Sequence, residues 1–303
     1  RLVLRLAGAG AAAATTGVAA AGGWRLTRPA EPEFPVLDAG PGGGWLEVPL
    51  RFRPAWLPRR FGESGRTVFV DGTRAPVTSR RWGRGEMDGV IGLLVGFHPS
   101  LEPEQPKGRP ATIDLNGVPG QLLQIHSHLV ATYIIWQPPG QPRLGLSVVT
   151  ADSADAQRDL ALRVARSVVP DPATTWVGPR MGWLPADLAA TPWRVHQGFT
   201  GTDWTQDLFA SGAGGRQFIV SMGPGVTARH QSTFPSAPVP IREETGWQVP
   251  QMRQLFLTLP DGVEVFAQLD EAPGGQRAMP DLIRVMRELD LGPWPDMSWV
   301  GQR

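Results

Sequence analysis

Three short segments of this 303-residue chain return in the same order at nearly one spacing, which constrains its architecture more than any single motif. Leu162-Arg163-Val164-Ala165-Arg166 recurs as Ile283-Arg284-Val285-Met286-Arg287, 121 residues on, and Pro138-Pro139-Gly140 as Pro260-Asp261-Gly262, 122 residues on. Trp176-Val177-Gly178 recurs as Trp299-Val300-Gly301 after 123 residues, and a fourth segment, Trp56-Leu57-Pro58, recurs as Trp183-Leu184-Pro185 after 127, which fits a few residues of insertion. An ordered, nearly constant offset is the signature of tandem duplication. The reading divides the chain into a first unit over 45–175 and a second over 176–303, each long enough to bury a core without staples.

The elements inside each unit follow from periodicity. Strand-like runs at Thr67–Val70, Val90–Phe97, Ala111–Leu115, Leu129–Trp136 and Leu144–Val149 are separated by turn chemistry at Asn116-Gly117 and Pro139-Gly140. After Val149 the period changes: Ala156, Leu160, Val164 and Val168 fall on one helical face, with Asp152 or Ser153 as cap and Pro170 as stop. The second unit repeats this ending, with strands at Leu255–Leu259 and Val263–Leu269 and then Leu282, Val285, Met286 and Leu289 along a helix. Gln217–Met222 reads as a strand and 227–248 as a long loop. The predicted fold class is therefore α+β, two tandem modules that each place a mostly antiparallel sheet under a C-terminal amphipathic helix.

An uncharged run of 19 residues from Leu6 to Trp24 precedes these units, flanked by Arg5 and Arg25. As an apolar helix it would span about 28 Å, close to the hydrocarbon thickness of a bilayer. Residues 1–24 read as a membrane anchor. The small residues Ala19-Ala20-Ala21 also fit the cleavage site of a secretory signal. Both readings put the bulk of the chain outside the cytoplasm, at the cell membrane or secreted. Residues 25–44, with four prolines and Gly42-Gly43-Gly44, read as an extended tether.

Charge and aromatic content narrow the function. The net charge of +1 conceals nine arginines against two carboxylates between Arg51 and Arg84, and nine arginines against twelve carboxylates between Trp176 and Leu291. A basic stretch of this kind suits an anionic envelope component or lipid headgroups. The residues expected to make that contact are Arg59, Arg60, Arg80, Arg81 and Arg84, with Trp82 among them as an anchor. Twelve tryptophans also favour a protein interface, where Trp and Arg are enriched. Trp82, Trp193, Trp204 and Trp247 lie in polar contexts, which keeps open a secreted glycan binder; Trp45, Trp56, Trp136, Trp176, Trp183 and Trp299 read as packing.

Catalytic and cofactor signatures are missing from the sequence. There are no cysteines, so thiol chemistry and Cys-based zinc sites are excluded. His126 and His128 alternate on a strand and form the best metal pair, yet no third ligand follows at a useful spacing; His98, His196 and His230 are isolated. Ser211-Gly212-Ala213-Gly214-Gly215 lacks the Lys-Ser/Thr of a phosphate loop, and Gly62-Glu63-Ser64-Gly65 lacks the spacing of a nucleophile elbow. No reader motif for nucleic acid is present. The expectation is a non-enzymatic binding or sensor protein without cofactor or metal, either membrane-anchored or part of a membrane complex, with a hydrolase of unrecognised site as the lesser alternative.

The recurring ending, a strand, a Pro-x-Gly or Pro-Asp-Gly turn, a second strand and a helix of the Leu-Arg-Val-Ala-Arg type, is similar to modules in the extracytoplasmic portions of bacterial membrane-anchored proteins. It most resembles the sensor-type domains beside anti-sigma factors and in actinobacterial envelope proteins. The resemblance implies a sensing or partner-binding role on the outer side of the membrane.

Overall fold

The computed structural model describes residues 46–70, 76–83, 89–96, 110–126, 130–189, 193–200, 203–212, 216–226, 234–270, 278–292 and 295–302. In chain order these form β1 (Leu46–Pro54), β2 (Gly62–Val70), β3 (Val77–Gly83), β4 (Gly89–Val95), β5 (Ala111–Leu115), β6 (Val118–His126), β7 (Val130–Trp136), β8 (Leu144–Thr150), α1 (Ala154–Arg166) and β9 (Val168–Val177). There follow β10 (Arg180–Met181), α2 (Ala186–Ala189), β11 (Trp193–Thr200), β12 (Asp203–Ser211), β13 (Gln217–Gly223), β14 (Ala237–Ile241), β15 (Glu244–Val249), β16 (Gln254–Thr258), β17 (Glu264–Asp270), α3 (Ala278–Glu288) and β18 (Leu289–Asp290).

Fourteen of these strands join in one antiparallel sheet. From one edge the order is β5-β6-β7-β8-β4-β3-β2 and from the other β14-β15-β16-β17-β13-β12-β11, so the two halves run alike toward a central β2–β11 pair. That pair is antiparallel, with Val68 opposite Val195 and Gly65 opposite Gly198. The ribbon β1–β9 approaches β3 and β4 in the first half, and β10 pairs with β18 in the second.

Each helix covers its own half. Ser153 caps α1 by accepting from the Ala156 N–H, and Ala161, Val164 and Ala165 are buried against a core that includes Ile134, Leu146 and Val148. In α3, Leu282, Val285 and Met286 join Leu255, Val265 and Ala267. Both helices supply an arginine to the recurring tryptophan of their half: Arg163 lies 3.8 Å from the Trp56 ring centroid and Arg284 4.1 Å from that of Trp183. The recurring residues thus meet in matching cation–π contacts. Asn116 and Gly117, both with positive φ (56° and 87°), close β5–β6 as a two-residue hairpin. At the opposite edge, Pro238 and Pro240 remove two N–H donors from β14 and so blunt it against further pairing.

This architecture corrects the expected α+β class. Among the described residues 58% are in strands and 15% helical, and none of the helices is long and apolar enough to cross a membrane. The two sheets expected to stand apart are fused through β2 and β11. Residues 1–24, where the N-terminal apolar helix was placed, and the tether over 25–44 lie outside the described residues. The long loop expected over 227–248 contains the β14–β15 hairpin.

Candidate functional site

A polar seam runs beneath the centre of the sheet, between the two apolar cores. Glu63 on β2 is 3% exposed and accepts from Arg66 Nε at 2.8 Å, Arg80 Nε at 2.8 Å and Arg80 Nη2 at 2.6 Å. Arg80 also donates to Asp171 on β9, and Arg66 Nη1 donates to the Thr174 carbonyl at 3.1 Å. Alternation along β2 and β3, shifted by the bulge between Glu63 and Gly65, turns all three β2–β3 charges to the covered face. Two buried carboxylates therefore meet two buried guanidiniums, with the more exposed Arg53 4.0 Å from Asp171 at the rim.

Burial works against ionisation here, but the hydrogen bonds outweigh it. Desolvation would lower Arg80, yet the Glu63 and Asp171 carboxylates hold it above its ordinary value. Burial would raise Asp171, yet bonds from Arg80 and the Ala173 N–H, with the charges of Arg80 and Arg53, hold it below the usual carboxylate range. The seam continues into the second half through amides: Gln197 accepts from Thr175 Oγ1 at 2.8 Å, and its Nε2 lies 2.9 Å from the Trp176 carbonyl and 3.1 Å from Gln206 Oε1. Chemically, this arrangement fastens β9 across the sheet.

The C-terminal segment closes the same cluster from the side. The Gly301 N–H donates to the Glu63 carbonyl and the Glu63 N–H to the Gln302 carbonyl, both at 2.8 Å. Trp299, 5% exposed, stacks on Arg66 with 4.4 Å from guanidinium carbon to ring centroid. This approach requires Gly62, because a Cβ there would sit 2.8 Å from Gly301 Cα.

The six residues expected to make an anionic contact are divided by the fold. Arg80 belongs to the buried cluster, and Trp82 is 2% exposed in the first core with Arg80 over its ring. Arg81 alternates onto the opposite sheet face and is exposed. Arg59 and Arg60 are exposed in the loop between β1 and β2, and Arg84 lies outside the described residues. Arg59 lines a cleft of about 560 Å³ with Pro54, Ala55, Trp56 and Leu57.

Of the tryptophans expected in polar contexts, Trp247 is 49% exposed, Trp204 is half-buried against the second core, and the Trp193 side chain lies outside the described set. Trp176, expected to pack, is 44% exposed. The side chain of His126 and the whole of His128 lie outside the described residues, and among those described no group of three His, Asp or Glu could hold a metal.

Sequence reading passed over a second set, Arg194 and His196 on β11. His196 sits over Gly65 and Gly198, with Nδ1 2.8 Å from Thr67 Oγ1. Burial, then the charges of Arg81 and Arg194, push its pKa down to about 4. The alternation Arg194-x-His196-x-Gly198 was the available signal, since period two puts all three on one sheet face.

No protein-family model matches the chain, and no curated protein matches it.

Proposed function

We propose that this chain is a non-enzymatic binding protein acting outside the cytoplasm, held at the membrane through residues 1–24, that engages a protein partner at the cleft beside Trp56. Duplication of one ancestral unit, divided near residue 175, accounts for the matching strand orders of the two halves.

The observation that carries the binding role is the cleft's lining. Pro54, Ala55, Trp56 and Leu57 offer apolar surface, and Arg59 brings a guanidinium to it. An aromatic anchor held from behind and a cation beside it are the ingredients of an interface hot spot. Trp56 is held in this way, because Arg163 stacks on its ring at 3.8 Å. An acidic partner segment with one apolar side chain suits such a surface.

The test starts from the intact chain extracted from its host in mild detergent, with a partner recovered in stoichiometric amount. Arg59→Glu together with Arg60→Glu should abolish that recovery while leaving the thermal midpoint unchanged. Undiminished recovery would refute the assignment.

The exposure of Trp176 and Trp247 favours a second reading, a glycan binder. Retention on purified cell wall that is lost on Trp247→Ala would support it over the first.

A further inference from the structure

We propose that Arg81, His196 and Arg194 form a binding site for an oxyanion, carboxylate, phosphate or sulfate, on the sheet face opposite the helices at the β2–β11 seam. Strand register gathers the three. Gly65 lies opposite Arg81 on β3 and opposite Gly198 on β11, so two glycines side by side leave a trough next to Arg81. The His196 imidazole fills it: a Cβ on Gly198 would stand 2.6 Å from Nε2, and one on Gly65 3.0 Å from Cε1. Arg194, two residues before His196, follows on the same face at about 6.8 Å along the strand.

The cations in this group outnumber the described counter-charges. Among the described residues neither Arg81 nor Arg194 forms a salt bridge, and Arg194 Nε is inaccessible with no hydrogen-bond partner. The Arg194 guanidinium instead lies 4.3 Å over the Phe209 ring, which fixes its position. Asp207 faces His196 across the β11–β12 pair, and its charge acts on Arg194. The described charges at the site are thus Arg81 and Arg194 against Asp207, an excess of positive charge. His196 Nδ1 is engaged by Thr67, and Nε2 has no partner among the described residues. Guanidinium forks pair with oxyanions through charge-assisted hydrogen bonds, and a buried donor left without a partner is costly. An anion here pairs with the guanidinium charge and offers a proton acceptor to the imidazole.

Inorganic sulfate is a suitable probe because its charge is constant over the working pH range. Titration of the full chain, followed by the His196 ring signals in NMR and by calorimetry, should show saturable binding that raises the imidazole pKa. Affinity should rise as pH falls toward the range in which His196 titrates. Arg81→Gln and Arg194→Gln should each weaken binding about tenfold or more, the share of one charge-assisted contact, with Arg194→Lys recovering part of it. If Arg194→Gln unfolds for want of its stacking on Phe209, the exposed Arg81→Gln decides alone.

Unmoved His196 signals, or an Arg81→Gln chain that binds sulfate as well as the parent, would overturn the site. Retention of the parent but not Arg81→Gln on phosphatidylglycerol vesicles would assign the anion to a lipid headgroup. Sulfate and acetate binding without vesicle retention would assign it to a free anion or a partner carboxylate. Both upholding results keep the same chemistry. Because Arg81 is remote from the Trp56 cleft in sequence and on the other sheet face, failure here leaves the partner-binding reading standing, and the converse holds.

Discussion

Replacing Glu63 by alanine removes the carboxylate that joins two buried guanidiniums. Arg80 would keep its bond to Asp171, and Arg66 would keep the Thr174 carbonyl, the face of Trp299 and the weaker pull of the exposed Asp296. Breaking a buried pair by removing one partner costs about 3–5 kcal/mol, because the remaining charge stays desolvated. That is a large part of the total stability of an ordinary domain, and at about 2–4 °C per kcal/mol it lowers the thermal midpoint by roughly 10 °C. The surface pair Arg284–Glu288 supplies the control. Its 2.9 Å separation nearly equals the 2.8 Å of Arg66–Glu63, but its side chains are 55% and 41% exposed against 8% and 3%. Glu288→Gln should cost no more than about 0.5 kcal/mol. Urea unfolding of both variants, read as midpoint at constant slope, measures the contrast. If Glu63→Ala also loses less than about 1 kcal/mol, burial does not set the strength of this cluster, and the account of the seam given above is wrong.

Trp299→Ala should cost about 3–5 kcal/mol as a buried aromatic, whereas Trp176→Ala should stay within about 1 kcal/mol; comparable losses in urea unfolding would show that the two recurring tryptophans share one role. Arg163→Ala and Arg284→Ala should each cost about 0.5–1 kcal/mol, and the double variant should equal their sum within about 0.5 kcal/mol because the two contacts share no partner. The pH dependence has a definite sign. With His196 held down to about 4 in the folded chain, the unfolded chain takes up its proton first as pH falls. The contribution is complete above about pH 6.5, is lost by about pH 4, and is worth roughly 3 kcal/mol. His196→Gln should therefore flatten the stability profile over that window. Asp171, whose folded pKa lies below its ordinary value, contributes stability that is lost only at still lower pH.

The recurring segments and the two longer helices were legible because both leave local marks. The recurring Trp56 and Trp183, with Arg163 and Arg284, are partners in space, so both ends of each contact recur in the two halves. The cap at Ser153 and the apolar stripe of α1 follow rules that act within one turn. Strands of the seam were harder to see, because they do not alternate apolar with polar. Arg80 interrupts the pattern of β3, Gln197 that of β11 and Gln206 that of β12, each pointing inward to a polar partner. Pro238 and Pro240 gave β14 the look of a loop, although at an edge proline is tolerated. The basic stretch misled for a related reason: adjacent Arg80 and Arg81 look like one patch in sequence, but a strand sends them to opposite faces. The Arg81–His196–Arg194 group was hidden because its members meet only once β2 pairs with β11.

The backbone hydrogen bonds between Glu63 and the Gly301–Gln302 segment bear on biosynthesis. Glu63 is added to the growing chain 239 residues before Gln302. At about 5–20 residues per second, that interval is roughly 12–48 s. For most of it the nascent chain lacks the partners of the Glu63 backbone groups and of the open face of Arg66. Those groups find their partners only when Trp299 is laid over Arg66.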